Sequence, residues 1–291
     1  MDNTQTKKAV SAFANAFGKP LYTPILKTPE EYGLDYETVY FSPADNSNIK
    51  LEGWLFRSKG SNKIVIANHP MCFSKYGFPG HLKEYPLLPD NEFEVNFIPD
   101  YKHLVEAGFN EGVCTAGIDE SNDVVASVKY VKSHPELSSM DISLYSRCFG
   151  ANTTIIALEK YPEVFKDVKA LLLLQPVSMR IFFTKALANM GLKDKEHADA
   201  FDKEYKEITG YGMDASSPFE RAKSITIPTL VIQVHDDVAT EPSDVQKIYD
   251  NIGAKDKKLF WIEGTTRRFD GYNYLPENPD LLIDWFKSHN N

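Results

Sequence analysis

Several large classes of protein are excluded by what this sequence has little of. Its three cysteines, Cys72, Cys114 and Cys148, are odd in number and widely spaced. They support neither a disulfide framework nor a C-x-x-C zinc pair, and at least one thiol stays outside any internal disulfide. A basic excess is missing too: 32 Lys and Arg stand against 41 Asp and Glu, a formal charge of -9, which argues against nucleic acid or anionic lipid as a partner. Apolar runs such as Ala170 to Leu174 fall far short of the ~20 residues of a membrane span. Met1 to Thr6 is too polar for a secretory signal, so a cytoplasmic location is expected. Internal repeats and low-complexity stretches are also absent.

What is present is an ordinary globular composition over 291 residues, 42% hydrophobic and 25% charged, enough for one large α/β domain with an insertion or for two small domains. Lys7 to Phe17 puts Val10, Phe13, Ala14 and Phe17 on one helical face before Gly18-Lys19-Pro20 ends it. Glu37 to Phe41 and Lys50 to Arg57 read as a hairpin, and Lys63 to Asn68 as a strand buried on both faces. Asn68-His69-Pro70-Met71 stands at that strand's end, where ligand crevices of open α/β sheets lie. The irregular stretch Cys72 to Pro99 is long enough to suggest a functional loop.

Helical patterns at Asp100 to Ala107, Asn122 to Lys132 and Gly150 to Lys160 alternate with strands at Asp141 to Tyr145 and Val168 to Leu174, as βαβ units do. Ser178 to Tyr211 breaks the alternation with helical sequence whose Ala198, Phe201, Tyr205 and Ile208 share a face; it reads as a helical cap over the crevice. Strand Thr229 to Val234, helix Ser243 to Asn251, strand Lys258 to Ile262 and a final helix from Asn278-Pro279 complete the chain. The expected division is a core of residues 1–177 and 214–291, carrying the N-terminal helix, and a cap of residues 178–213.

The chemistry concentrates at Ser146-Arg147-Cys148-Phe149-Gly150, between an apolar strand and a helix pattern. A side chain at the apex of so tight a turn projects from the backbone, and small flanking residues are needed because neighbouring chains crowd in. Cys148 is therefore the candidate nucleophile. The helix N-terminus and the adjacent Arg147 are expected to favour the thiolate.

Four marks, in order, then resemble the α/β-hydrolase superfamily from about Tyr36 onward: His69 in the first loop, the Cys148 turn, Val234-His235-Asp236-Asp237 and Ile262-Glu263-Gly264. The cysteine makes the turn similar to the dienelactone-hydrolase-type branch. The resemblance implies a mostly parallel central sheet flanked by helices, with Cys148 as nucleophile. It implies Asp237 as the acid, since Asp237 to Pro242 matches the family's Asp-x-x-x-x-Pro run better than Asp236 does. It also implies an oxyanion hole from the backbone N–H groups of Phe149 and Met71, Pro70 having none to give.

The departures are as informative. Where the family places its histidine, a few residues beyond the last strand, the chain reads Gly264-Thr265-Thr266-Arg267-Arg268-Phe269-Asp270, with no histidine before His289. His69 is the one histidine that the motif brings near the turn and is the candidate substitute. Arg267 and Arg268 are candidates for gripping a substrate carboxylate or for a solvated basic pair. A second gap lies at Ala107 to Gly117, where the family needs a strand and none fits. Either residues are missing between Asn110 and Glu111, or the sheet is rearranged with Glu94 to Ile98 filling in.

The expected function is a hydrolase-like enzyme whose Cys148 attacks an ester, thioester or lactone carbonyl. Catalytic duty falls to Cys148, Asp237 and His69, and substrate contacts to Arg147, Arg267, Phe182 and Phe183. The aromatic cap, with Met190, points to a small-molecule substrate with an apolar part. No cofactor, metal, nucleic acid or membrane partner is expected, and a homodimer is left open. A binding or sensory protein, or a lyase or acyltransferase, on the same scaffold is the alternative.

Overall fold

The computed structural model describes residues 3–45, 48–83, 85, 91–114 and 121–290, without the side chains of residues 3, 113 and 114; the thiol of Cys114 thus lies outside the described residues. In chain order the elements are α1 (Asn3–Gly18), β1 (Glu37–Phe41), β2 (Leu51–Phe56), β3 (Lys63–Asn68), β4 (Gly77–Phe78), β5 (Val95–Asn96), α2 (Ile98–Glu106), β6 (Asn110–Cys114) and α3 (Ser121–Ser133). Then follow β7 (Asp141–Arg147), α4 (Phe149–Lys160), α5 (Pro162–Phe165), β8 (Leu171–Leu174), α6 (Met179–Asn189), α7 (Lys195–Thr209) and α8 (Pro218–Arg221). The last are β9 (Thr229–Val234), α9 (Pro242–Asn251), β10 (Lys257–Ile262), α10 (Arg268–Glu277) and α11 (Pro279–His289).

Eight strands form one sheet in the order β1-β2-β6-β3-β7-β8-β9-β10. Pairing is antiparallel at β1/β2 and β2/β6 and parallel from β6 to β10. The central strands are apolar on both sides because both faces are covered. Ile142 and Leu144 of β7 face α3, α4 and α9, whereas Tyr145 faces α2, α10 and α11. Helices α6 and α7 separate β8 from β9, and the face of α7 carrying Ala198, Phe201 and Tyr205 is buried. Helix α1 packs on it, its Phe13 ring 5.1 Å from that of Phe201. Among the described residues no helix is long and apolar enough to cross a membrane.

The gap expected after Ala107 is corrected. Asn110–Cys114 is itself the strand: it pairs parallel with β3 from Ile64/Asn110 to Asn68/Cys114 and antiparallel with β2. Nothing needs to be supplied between Asn110 and Glu111. The segment was unreadable because Asn, Glu and Gly disfavour strands, and its pairing comes from neighbours distant in sequence. Glu94 to Ile98 does not fill the sheet; Val95–Asn96 pairs with Gly77–Phe78 in a separate ribbon, and Ile98 opens α2.

Candidate active site

Strand β7 ends at Arg147 and helix α4 starts at Phe149, leaving Cys148 alone to turn the chain. Its φ of 51° and ψ of −119° are strained for a residue other than glycine, at a cost of roughly 1–3 kcal/mol. Close packing maintains the strain. A Cβ added at Gly150 would lie 2.6 Å from the His69 carbonyl oxygen, so only glycine lets α4 approach the chain leaving β3 this closely. Below the turn, Ser146 shares a 2.8 Å hydrogen bond with Thr154 and accepts one from Asn68 Nδ2 at 3.1 Å.

The Cys148 side chain faces a cavity of about 860 Å³ whose wall also includes Met71 and Phe149. Among the described residues the N–H groups of Met71 and Phe149 have no hydrogen-bond partner. Two N–H groups left open beside a candidate nucleophile are what an oxyanion hole requires. Of the long loop, Cys72, Phe73, Glu92 and Phe93 reach the same wall, while residues 84 and 86–90 lie outside the described residues. Burial pushes the Cys72 thiol up to about 12, so beside Cys148 it stays a neutral wall residue.

Arg268 lies a few residues beyond β10, in the stretch where a histidine was expected. It opens α10, is nearly fully buried and lines the cavity. Its Nη1 donates to Asp237 Oδ2 at 2.6 Å, its Nε to the Tyr272 hydroxyl at 3.0 Å, and its Nη2 to the Gln175 carbonyl. Arg268 and Tyr272 line the same cavity wall as Cys148, and the Arg268 charge interacts with the Cys148 sulfur. Burial opposes the charge on Arg268. The Tyr272, Cys148 and Asp237 side chains outweigh that and hold its pKa above the ordinary arginine value. The Tyr272 phenol is pushed far above its usual range, chiefly by burial, and remains neutral.

Asp237 is held by four donors. Besides Arg268, its Oδ2 accepts from Thr240 Oγ1 at 3.0 Å and Gln233 Nε2 at 3.2 Å, and its Oδ1 from the Ala239 N–H at 2.9 Å. Asp236 instead lies exposed, 2.7 Å from His235 Nδ1. Close approach of α10 depends on Gly271, where a Cβ would meet the Gln175 amide at 2.8 Å and Val234 at 2.7 Å.

Cys148, Asp237, Phe149, Met71, Arg267 and Phe182 thus share one cavity, and three other expected residues do not line it. His69 is fully buried, and its Nδ1–H donates to the Pro70 carbonyl at 2.8 Å. Burial lowers its pKa to about 4, helped by Arg147 and Lys75, so the ring is neutral at pH 7. Arg147 is turned away from the cavity: alternation along β7 sends it under the sheet with Tyr145, where Nη2 donates to the buried Asp100 at 2.9 Å. Phe183 turns into the helix layer, 4.8 Å from Phe17 and 4.7 Å from Phe201 between ring centres. Sequence reasoning missed that Arg268 shares the cavity with Cys148 while bonded to Asp237, Tyr272 and Gln175. The available signal was position alone, Arg268 lying in the loop that should hold the histidine.

No protein-family model matches the sequence, and no curated protein matches it. Solved structures match it by shape. An esterase of Pyrococcus furiosus is 18% identical with a TM-score of 0.68, covering 94% of this chain and 97% of its own. A dienelactone hydrolase from Anabaena variabilis is 14% identical with a TM-score of 0.54, covering 89% and 99%. A cold-adapted esterase from an Arctic intertidal metagenomic library is 11% identical with a TM-score of 0.56, covering 88% and 94%. With the strand order and the strained turn, these similarities establish the α/β-hydrolase fold.

Proposed function

We propose that the protein is a hydrolase-like, ester-cleaving enzyme of the cytoplasm. Cys148 attacks the carbonyl of an ester, thioester or lactone in a small molecule with an apolar part. The observation that carries this reading is the array Cys148, Arg268 and Asp237, in which a buried ion pair stands behind a strained cysteine at a cavity wall. A guanidinium beside a thiolate stabilises the reactive anion. Attack forms the C–S bond and moves the carbonyl π pair onto oxygen, where the Phe149 and Met71 N–H groups receive it. Collapse expels the alkoxide or thiolate, which takes a proton from solvent and leaves an acyl-cysteine.

Arginine does not lose its proton in proteins, so Arg268 cannot act as the base that histidine provides. Leaving groups that depart as anions, thiolates and aryl oxides, are therefore the favoured ones. Release by water is the slow step. The same property supports a second reading, acyl transfer to a thiol or amine that attacks acyl-Cys148 without help from a base.

Intact-mass measurement after mixing with a p-nitrophenyl ester or an acyl thioester tests the proposal. The expected result is one acyl group on Cys148, formed in a burst, slowly released, and absent from Cys148→Ala. If neither probe labels the wild-type protein, the reading fails.

A further inference from the structure

The cavity at Cys148 is walled by phenylalanines from separate parts of the chain: Phe13 and Phe17 of α1, Phe73 and Phe93 of the loop after β3, Phe182 of α6 and Phe269 of α10. About 860 Å³ lies near the upper end of the roughly 300–1,000 Å³ of small-molecule sites. An acetyl group would leave most of it unfilled. Charge is confined to one part of the wall, Arg268 and Asp237 with Arg267 and Glu92, and the α1 and α6 side contributes only apolar groups, including Met179 and Ala186.

Helix α1 enters this wall as part of an aromatic layer. Phe17 lies 4.8 Å from Phe183 and 6.0 Å from Phe182, and Phe13 lies 5.1 Å from Phe201, in edge-on and tilted contacts. Its end fits tightly on α7, where a Cβ at Gly18 would come within 2.6 Å of Ile208. The wall farthest in sequence from the reacting groups is thus held by α6 and α7 rather than by the sheet.

Taking Cys148 as the acyl acceptor, we propose that the substrate is a long-chain or aryl-bearing acyl derivative. Its apolar part lies against α1 and α6, and Phe13 and Phe17 set the upper limit of acyl size. Each methylene buried in an apolar wall of this kind raises affinity roughly fourfold until the space is full. The class is a neutral apolar acyl group, since the α1 and α6 side offers no charged partner to a second carboxylate.

The test uses straight-chain S-acyl-N-acetylcysteamine thioesters from acetyl to dodecanoyl, read in two ways. Calorimetric binding to Cys148→Ala is expected to strengthen stepwise with chain length. The rate of acyl labelling of Cys148 in the wild type should follow the same ladder. Phe13→Ala and Phe17→Ala should move the optimum to longer chains, and Ala186→Phe, which fills space from α6 and leaves α1 intact, to shorter ones with at least a tenfold loss for dodecanoyl. Flat binding from acetyl to dodecanoyl, or an optimum unmoved in folded Ala186→Phe, would overturn the proposal. A binding ladder without any label on Cys148 would instead sink the nucleophile reading and leave the apolar site standing.

Discussion

Two buried arginine–aspartate pairs lie on either side of the Cys148 turn, and they differ in everything but composition. In Arg147–Asp100 the guanidinium lies 3.7 Å over the Tyr145 ring and 4.2 Å over that of Phe97. Its Nε and Nη1 have no partner among the described residues, and neither has either oxygen of the buried Glu111 nearby. In Arg268–Asp237 three nitrogens of the guanidinium are bonded, and the group lines the cavity at Cys148. A buried ion pair is therefore not in itself a sign of chemistry. What separates the two is access: one cation is closed in by rings, and the other fronts the space a substrate would take.

The widest separation is expected in stability. Asp100→Ala strands a buried guanidinium and should cost about 3–5 kcal/mol in denaturant unfolding. Arg147→Met combined with Asp100→Leu removes both charges and should recover part of that loss, the buried Glu111 and the Tyr145 hydroxyl remaining as polar groups of the site. Next comes the chemistry. Arg268→Met should slow acyl labelling of the folded protein by roughly 10²–10³-fold, the range for losing one preorganised charge-stabilising group. Arg147→Met should leave that rate within about threefold. Equal effects of the two substitutions would remove the distinction.

A pH titration of stability sharpens the contrast from the Arg147 side. His69 is depressed to about 4 by burial, with Arg147 among the charges opposing its protonation. The unfolded chain, at about 6.5, binds the proton first. Stability from His69 is therefore complete above pH ~6.5 and is lost as pH falls toward 4, a span of about 3 kcal/mol that His69→Asn should flatten. A smaller effect is expected at Tyr272, which shares the cavity wall with Cys148 and accepts from Arg268 Nε. Tyr272→Phe should slow labelling about tenfold, equivalent to ~1.4 kcal/mol. An unchanged rate would assign the hydroxyl to holding Arg268 alone.

The sheet and the turn were legible because hydrophobic runs and the small-x-Cys-x-Gly spacing are local signals. Strand β6 was hidden because Asn110, Glu111 and Gly112 are poor strand formers that β2 and β3 hold from both sides. Arg147 was assigned to the substrate by its place next to Cys148. A strand sends neighbouring side chains to opposite faces, and it meets Asp100 instead. Phe182 and Phe183 differ by one helical step, enough to put the first on the cavity and the second inside the helix layer. Arg268 was the hardest to read. In a tandem of arginines only the fold decides that Arg267 stays largely exposed while Arg268 is buried against Asp237.

The claim that Arg268 replaces a base with a fixed cation is tested most directly by the pH dependence of acyl-Cys148 hydrolysis in a single turnover. Without a general base, the wild-type rate should be slow and rise about tenfold per pH unit as hydroxide becomes the nucleophile, while Arg268→His should be faster and level off above the histidine pKa. A fast wild-type release that is already level at neutral pH would reveal a base that this account does not contain.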